Sequence, residues 1–216
     1  MNSYIICLGN RRFNPENRLI QFISPSRQEK LEYYRFDIDK KLSLYSELAV
    51  RMALAILLHC SPKEFNFALH KNGKPYVSNV SNIFFNISHT RNAILCSVSN
   101  TGKVGVDIEK LENHIPKQMD KICHIEELRY LNSLSISYRK IEYCKIWTRK
   151  EAFVKRDGMG IGQNLTKINT FAPEKNGKYF TWQESSYICS VYCDINEKNT
   201  RNMITEQNID EYFAAY

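Results

Sequence analysis

The chain has 216 residues, 43% hydrophobic and 25% charged, which is ample for a packed core and excludes a low-complexity chain. Thirty Lys and Arg against 23 Asp and Glu give a formal charge of +7, which favours anionic partners. The basic residues are spread along the sequence and not massed in a tail, so charge alone does not select nucleic acid.

Tyr4-Ile5-Ile6-Cys7-Leu8 predicts a buried strand, and residues 25–36 predict a short basic helix. Residues 43–60 predict an amphipathic helix with Leu44, Leu48, Met52 and Ile56 on its apolar stripe. Its most apolar part carries Arg51 and is too short to span a bilayer. With no secretory signal at the start, a soluble cytoplasmic protein is expected. Asn72-Gly73-Lys74-Pro75 is a turn signal. Strands follow at 84–88 and 93–99, and Asn100-Thr101-Gly102 is expected to fold strand 103–109 back as a hairpin. Residues 116–134 predict a helix in two pieces, and 138–157 a longer helix ended by Gly158. Strands are expected at 167–171, 178–184 and 186–193, and the polar tail 196–216 is left unassigned. This order predicts an α+β protein of two similar halves, 1–108 and 109–216, with a site between them. Seven cysteines, without a C-x-x-C pair and mostly in apolar runs, read as buried thiols in a reducing compartment.

Two segments carry chemistry. In strand 104–109, Val104, Val106 and Ile108 share one face, while Gly105, Asp107 and Glu109 share the other, with the glycine expected to leave open space. In helix 138–157, Trp147, Glu151 and Lys155 recur at i, i+4 and i+8 on one stripe. Each pattern alone has a plain reading: a solvated strand edge, and a surface ion pair worth about 0.3–0.5 kcal/mol. Glu151 brought against Asp107 and Glu109 would instead give three hard oxygen ligands with a lysine one turn away, which suits magnesium and a pyrophosphate.

The ordered set Phe85-Asn86-Ile87-Ser88-His89, Gly105-Val106-Asp107-Ile108-Glu109 and Trp147-Thr148-Arg149-Lys150-Glu151-Ala152-Phe153-Val154-Lys155 resembles the 4'-phosphopantetheinyl transferase superfamily. The likeness is to its larger, surfactin-type monomeric branch. Phe22-Ile23-Ser24-Pro25, the 72–75 turn and Gly158-Met159-Gly160-Ile161 extend it over residues 1 to 170. The resemblance implies a pseudo-twofold α+β fold and transfer of the phosphopantetheine arm of coenzyme A to a serine of an apo acyl or peptidyl carrier protein. The other product would be adenosine 3',5'-bisphosphate.

By the same resemblance, Asp107, Glu109 and Glu151 are the magnesium carboxylates, and Lys155 stands near the pyrophosphate, where a fixed cation stabilises a leaving group. Glu127 is the candidate general base. Its neighbour Glu126, or a metal-bound hydroxide, remains open for that role. Arg27, Lys30 and Ser43 match positions that hold the 3'-phosphate, Ser88 and His89 contact the nucleotide phosphates, and Gly73, Lys74 and Pro75 form the turn beside adenine. Leu42 departs from the pattern, since relatives carry an arginine there, and Lys40 or Lys41 is the expected substitute charge. The first half is thus expected to grip the nucleotide and the second to supply metal, base and pyrophosphate residues. Ile115, Met119, Lys117, Lys121, Ile122 and Leu128 are docking candidates for an acidic carrier. A non-catalytic coenzyme A or carrier-binding module of the same fold is the alternative, although it predicts loss of the carboxylates. Nucleic-acid binding lacks the interleaved aromatic and basic residues it needs.

Overall fold

The computed structural model describes residues 1–111, 119–158, 164–172, 176–194 and 196–216. Strand β1 (Asn2–Cys7) has a continuous buried stretch, as expected for a strand flanked on both sides. After a 3-10 turn at Arg18–Phe22, helix α1 (Pro25–Tyr33) opens with proline at its first position, where no amide proton is needed. It ends three residues short of the expected 36. Helix α2 (Asp37–Leu58) starts earlier than expected, because Asp37 and Asp39 place negative charge on its first turn. It closes at His59 with a left-handed φ of 54°. Residues Lys41 to Ala55 of α2 are all buried, so this helix is a core element and not a half-exposed one.

Strands β2 (Phe67–Leu69) and β3 (Pro75–Val77) pair around the expected turn, where Gly73 takes a φ of +81°. Strands β4 (Phe84–Thr90) and β5 (Ala93–Ser99) pair antiparallel, and β5 is buried along its whole length. The next strand, β6 (Gly105–Lys110), does not form the expected hairpin with β5. It leaves that sheet and joins two strands far along the chain, β7 (Gly177–Glu184) and β8 (Tyr187–Asp194), in the order β6-β8-β7. The reason lies in the turn: Ser99 Oγ accepts the Thr101 and Gly102 amides and redirects the chain. The Val106 amide then finds its acceptor on the Asn86 side chain (2.8 Å).

Helix α3 (Ile125–Ser133) and helix α4 (Ile136–Asp157) follow, with Gly158 capping α4 at φ 69° as the sequence predicts. The strand expected at 167–171 is absent. Leu165–Lys167 is a 3-10 turn whose Leu165 carbonyl, together with that of Ile168, is taken by the buried Lys150 ammonium and not by a neighbouring strand.

Two elements close the chain that the sequence did not mark: β9 (Thr200–Thr205) and α5 (Glu206–Ala214). Strand β9 pairs parallel with β1, giving a sheet ordered β4-β5-β1-β9. Helix α5 is tied to α2 by Tyr45 Oη donating to Asp210 (2.7 Å) and by the Lys41–Glu206 ion pair (2.8 Å). A division at 1–108 and 109–216 would put these elements with the second half, so the tail is reassigned to the first sheet. The remaining logic is repeated: a 22-residue helix, α2 or α4, lies on each of the two larger sheets. An apolar cluster containing Ile5 and Leu95 from one sheet and Val106, Ile108, Cys189 and Val191 from the other fills the seam. All seven cysteines are free thiols. Among the described residues no helix is long and apolar enough to cross a membrane.

Candidate active site

Strand β6 alternates as expected: Val104, Val106 and Ile108 are buried in the seam, and Gly105, Asp107 and Glu109 face α4. Gly105 does not leave open space. A Cβ there would lie 1.9 Å from the Ala152 carbonyl oxygen, so the glycine lets α4 touch the strand backbone. That contact brings the helix stripe down onto the acids. Trp147 Nε1 donates to Glu109 Oε1 (3.2 Å), and Lys155 Nζ lies 2.6 Å from Asp107 Oδ1 and 4.0 Å from Glu151 Oε2.

From the other side, β4 supplies alternate residues 86, 88 and 90. Asn86 holds the β6 amide at Val106, Ser88 Oγ donates to Asp107 Oδ1 (2.8 Å), and Thr90 Oγ1 donates to Glu109 Oε2 (3.2 Å). Ser88 Oγ also accepts from Lys155 Nζ (3.0 Å). Thr90 was not singled out from the sequence, and Asn86 was named only within its motif, without a role. Their spacing of two on one strand face was the available signal.

The three carboxylates repel one another. Burial, then the neighbouring Asp107 charge, pushes Glu109 above the ordinary glutamate range, and hydrogen bonds from Trp147 and Thr90 restrain it. Burial likewise raises Glu151, with Lys155 pulling down against Asp107 and Glu109. Among the described residues no three acidic, histidine or cysteine side chains already form a closed cation cage. Lys155 supplies the positive charge at this point instead. Yet Asp107 Oδ2 and Glu151 Oε1 are both buried without a hydrogen-bond partner. Two orphaned carboxylate oxygens beside Glu109 are donors of the kind a hard divalent cation takes, so the residues fit magnesium.

Glu127 is not part of this cluster. It is fully buried, accepts the His124 and Thr170 amides (2.7 and 2.8 Å), and pairs with the equally buried Lys150 (2.8 Å). The family resemblance made it the candidate base, but its capping-box position on α3 turns the carboxylate inward, away from solvent. Exposed Glu126 accepts from Asn169 Nδ2 (2.6 Å).

Basic residues of the first half gather around a cavity of their own. Arg27, Lys30, Pro75, Phe85 and Ile87 line a cavity of about 100 Å³. Arg27 Nη1 donates to Ser43 through both its carbonyl (3.1 Å) and its Oγ (3.4 Å). His89 sits between the two regions: partial desolvation, then the charges of Lys155 and Arg27, lower its pKa. Lys74 is placed differently from expectation. Its ammonium turns into the end of α4, donating to the carbonyls of Lys155 (2.8 Å), Arg156 (2.6 Å) and Val104 (3.3 Å), and burial lowers its pKa to about 8. Gly73 stays exposed in its turn, and a Cβ added there would meet nothing within 4 Å. Leu42 is core, and Lys41 is no substitute charge, being buried against Glu206 and the carbonyls of Gly9 and Arg11. Lys40 stacks over Phe13. Of the docking candidates, Ile115 and Lys117 lie outside the described residues. Met119, Ile122 and Leu128 pack against the small core around Leu131.

Residues 103–213 match the 4'-phosphopantetheinyl transferase superfamily, and residues 14–100 match the 4'-phosphopantetheinyl transferase N-terminal family. A relative from Synechocystis sp. is 30% identical over 71% of this chain and 63% of its own length. The 4'-phosphopantetheinyl transferase gsp of Aneurinibacillus migulanus is 31% identical over 74% and 65%. The corresponding Sfp protein of Bacillus subtilis is 25% identical over 78% and 75%. The chain therefore spans just under two thirds of the first two relatives it matches. A solved structure, the holo-[acyl-carrier-protein] synthase of Thermotoga maritima, overlaps 44% of this chain and 64% of its own at a TM-score of 0.37 and 17% identity. That overlap is too loose to bear on the site.

Proposed function

Because the chain belongs to the 4'-phosphopantetheinyl transferase superfamily, we propose that it moves the phosphopantetheine arm of coenzyme A onto a serine of an apo acyl or peptidyl carrier protein. The observation that carries this reading is the juxtaposition at the β4–β6–α4 seam. Two orphaned carboxylate oxygens lie there beside Lys155, and His89, on the same strand as Ser88, feels the charges of both Lys155 and Arg27, the latter lining its cavity together with Lys30. A donor with a diphosphate and, on the adjoining ribose, a separate phosphate suits that distribution of charge.

Asp107, Glu109 and Glu151 would hold magnesium, which, when bound, supplies charge neutralisation at the diphosphate. Ser88 and Thr90 keep Asp107 and Glu109 aimed into the cleft by occupying one oxygen of each. Lys155 is one-third exposed on a flexible stem, so it can follow a phosphate oxygen once its present partners are otherwise neutralised. There it stabilises charge on the departing bisphosphate. Arg27, Lys30 and Ser43 bind the 3'-phosphate, and Pro75 with its turn walls the adenine side. Lys74 holds the turn onto the end of α4 and does not itself reach the ligand. Glu127 fastens α3 and the 165–170 segment to α4 through Lys150, a structural task, so it is withdrawn as the base. The free thiols support a reducing cytoplasmic setting, and one chain carrying both halves of the cleft supports a monomer.

Mass spectrometry of an apo carrier domain incubated with the protein, coenzyme A and magnesium tests the reading. A pantetheine-sized gain that vanishes in Asp107→Ala and Glu151→Ala is expected. No gain on any of several carrier types would refute it, and coenzyme A binding without transfer would favour a non-catalytic module.

A further inference from the structure

Beside the Arg27 cavity lies a carboxylate that should not be there. Glu47, on α2, is 4% exposed and lines the same cavity, so an anion-binding site has a buried negative charge in its wall. Both of its oxygens are saturated. Oε1 accepts the Ser24 amide (2.7 Å) and Arg51 Nε and Nη2 (3.0 and 2.8 Å). Oε2 accepts Ser24 Oγ (2.8 Å) and pairs with Arg27 Nε (3.0 Å). Arg51 is in turn fixed by the carbonyls of Pro62 and Phe65 (3.0 and 3.1 Å) and by the Phe67 ring beneath its guanidinium. Glu47 therefore has no oxygen left to repel or coordinate a ligand, and it is anchored from below by a second arginine.

What this hub controls is the direction of Arg27. A guanidinium is a planar fork, and its value to a phosphate depends on which edge is presented. Here Nε is taken by Glu47 and Nη1 by Ser43, while Nη2 has no partner among the described residues. A side chain 30% exposed would otherwise sample many rotamers. Ser24 Oγ, the ordinary N-cap of α1, gives up capping to bind Glu47, which also locks the first turn of the helix that carries Arg27.

Resting on the functional reading above, we propose that Glu47 is a positioning residue for Arg27, and that through it the protein distinguishes coenzyme A from its 3'-dephospho form. Glu47 touches no reacting atom. Its effect is confined to the donor's second phosphate.

Steady-state kinetics with coenzyme A and with 3'-dephospho-coenzyme A, on one apo carrier, test this for the wild type, Glu47→Gln and Arg27→Lys. In the wild type kcat/KM favours coenzyme A. In Glu47→Gln that preference should fall about tenfold through KM, the scale of one misdirected charge-assisted hydrogen bond, with kcat retained. Arg27→Lys keeps the charge but loses the fork and its Glu47 contact. It should lose the preference to a similar degree, and it serves even where Glu47→Gln folds poorly. A KM rise equal for both donors, a fall in kcat with both, or an Arg27→Lys variant with wild-type preference overturns the proposal. A wild type that transfers from neither donor refutes the transferase reading instead.

Discussion

Replacing Glu151 by glutamine should make the ligand-free protein more stable while abolishing its activity. Glu151 is a buried acid whose Oε1 has no partner, held near Asp107 and Glu109 with Lys155 Nζ 4.0 Å away as the compensating charge. An unsatisfied buried polar atom costs about 1–3 kcal/mol. Glutamine keeps a polar atom there but removes the buried charge and its repulsion by Asp107 and Glu109, which Lys155 only partly offsets, so the gain should be about 1 kcal/mol, or a rise of about 2–4 °C in Tm for a chain of this size. The pH dependence has a definite sign. A carboxyl raised in the folded state binds its proton more tightly there than when unfolded, so its stabilising contribution is present below the unfolded value of 4.5 and is lost as pH rises through the folded value. Glu109 acts in the same direction. Thermal unfolding in chelator should therefore show the gap between variant and wild type widening from acid toward neutral pH. Added magnesium should then stabilise the wild type more than the variant. A variant less stable than wild type at neutral pH in chelator, or a gap that narrows with rising pH, would refute the account of a strained, cation-seeking cluster.

Glu127→Gln should lower stability by about 3–5 kcal/mol, since it strands the Lys150 ammonium in the core, with Lys150→Met in the same chain recovering part of the loss. A Glu127→Gln protein with normal Tm and only kcat reduced would restore Glu127 as the base. Gly105→Ala should push α4 off β6, since the added methyl meets helix backbone at Ala152 and Arg156; near-native Tm and activity would contradict that contact. Lys155→Met should cut kcat on the order of 10²–10³ in the transfer assay with little change in fold by circular dichroism. Loss confined to KM would place Lys155 in binding alone.

The site's two chemical stripes were legible because both depend on local periodicity. Alternation in 104–109 and the 147/151/155 spacing are set by backbone geometry whatever surrounds them. Where the sequence misled, the deciding partner lay far along the chain. The 100–102 turn has hairpin composition, yet β6 pairs with β8 some 80 positions later, and the Ser99 hydroxyl that redirects the chain looks like any turn serine. Residues 167–171 read as a strand, but the Ile168 carbonyl, with that of Leu165 just before, is taken by a lysine on α4 and not by another strand. Glu127 illustrates the same limit in a single residue. Its capping box with His124 is local, but Lys150 and the Thr170 amide, which complete the burial of its carboxylate, lie outside its own neighbourhood.

The polar tail shows how such distant pairing bears on function. β9 and α5 lie on the side of the first sheet away from the carboxylates, yet they hold α2 through Tyr45–Asp210 and Lys41–Glu206. Helix α2 also carries Ser43 and Glu47, two turns or less from those anchors. The elements proposed to grip the donor's second phosphate are thus braced by the C-terminal tail, while Asp107 and Glu109 are fixed by β4 and α4. Two independently braced frames meet at the seam, and His89, which feels both Arg27 and Lys155, marks where one passes to the other. Under the proposed function, precision at both phosphates would follow from rigid elements and not from loops, leaving the partly exposed Lys155 stem as the part that adjusts.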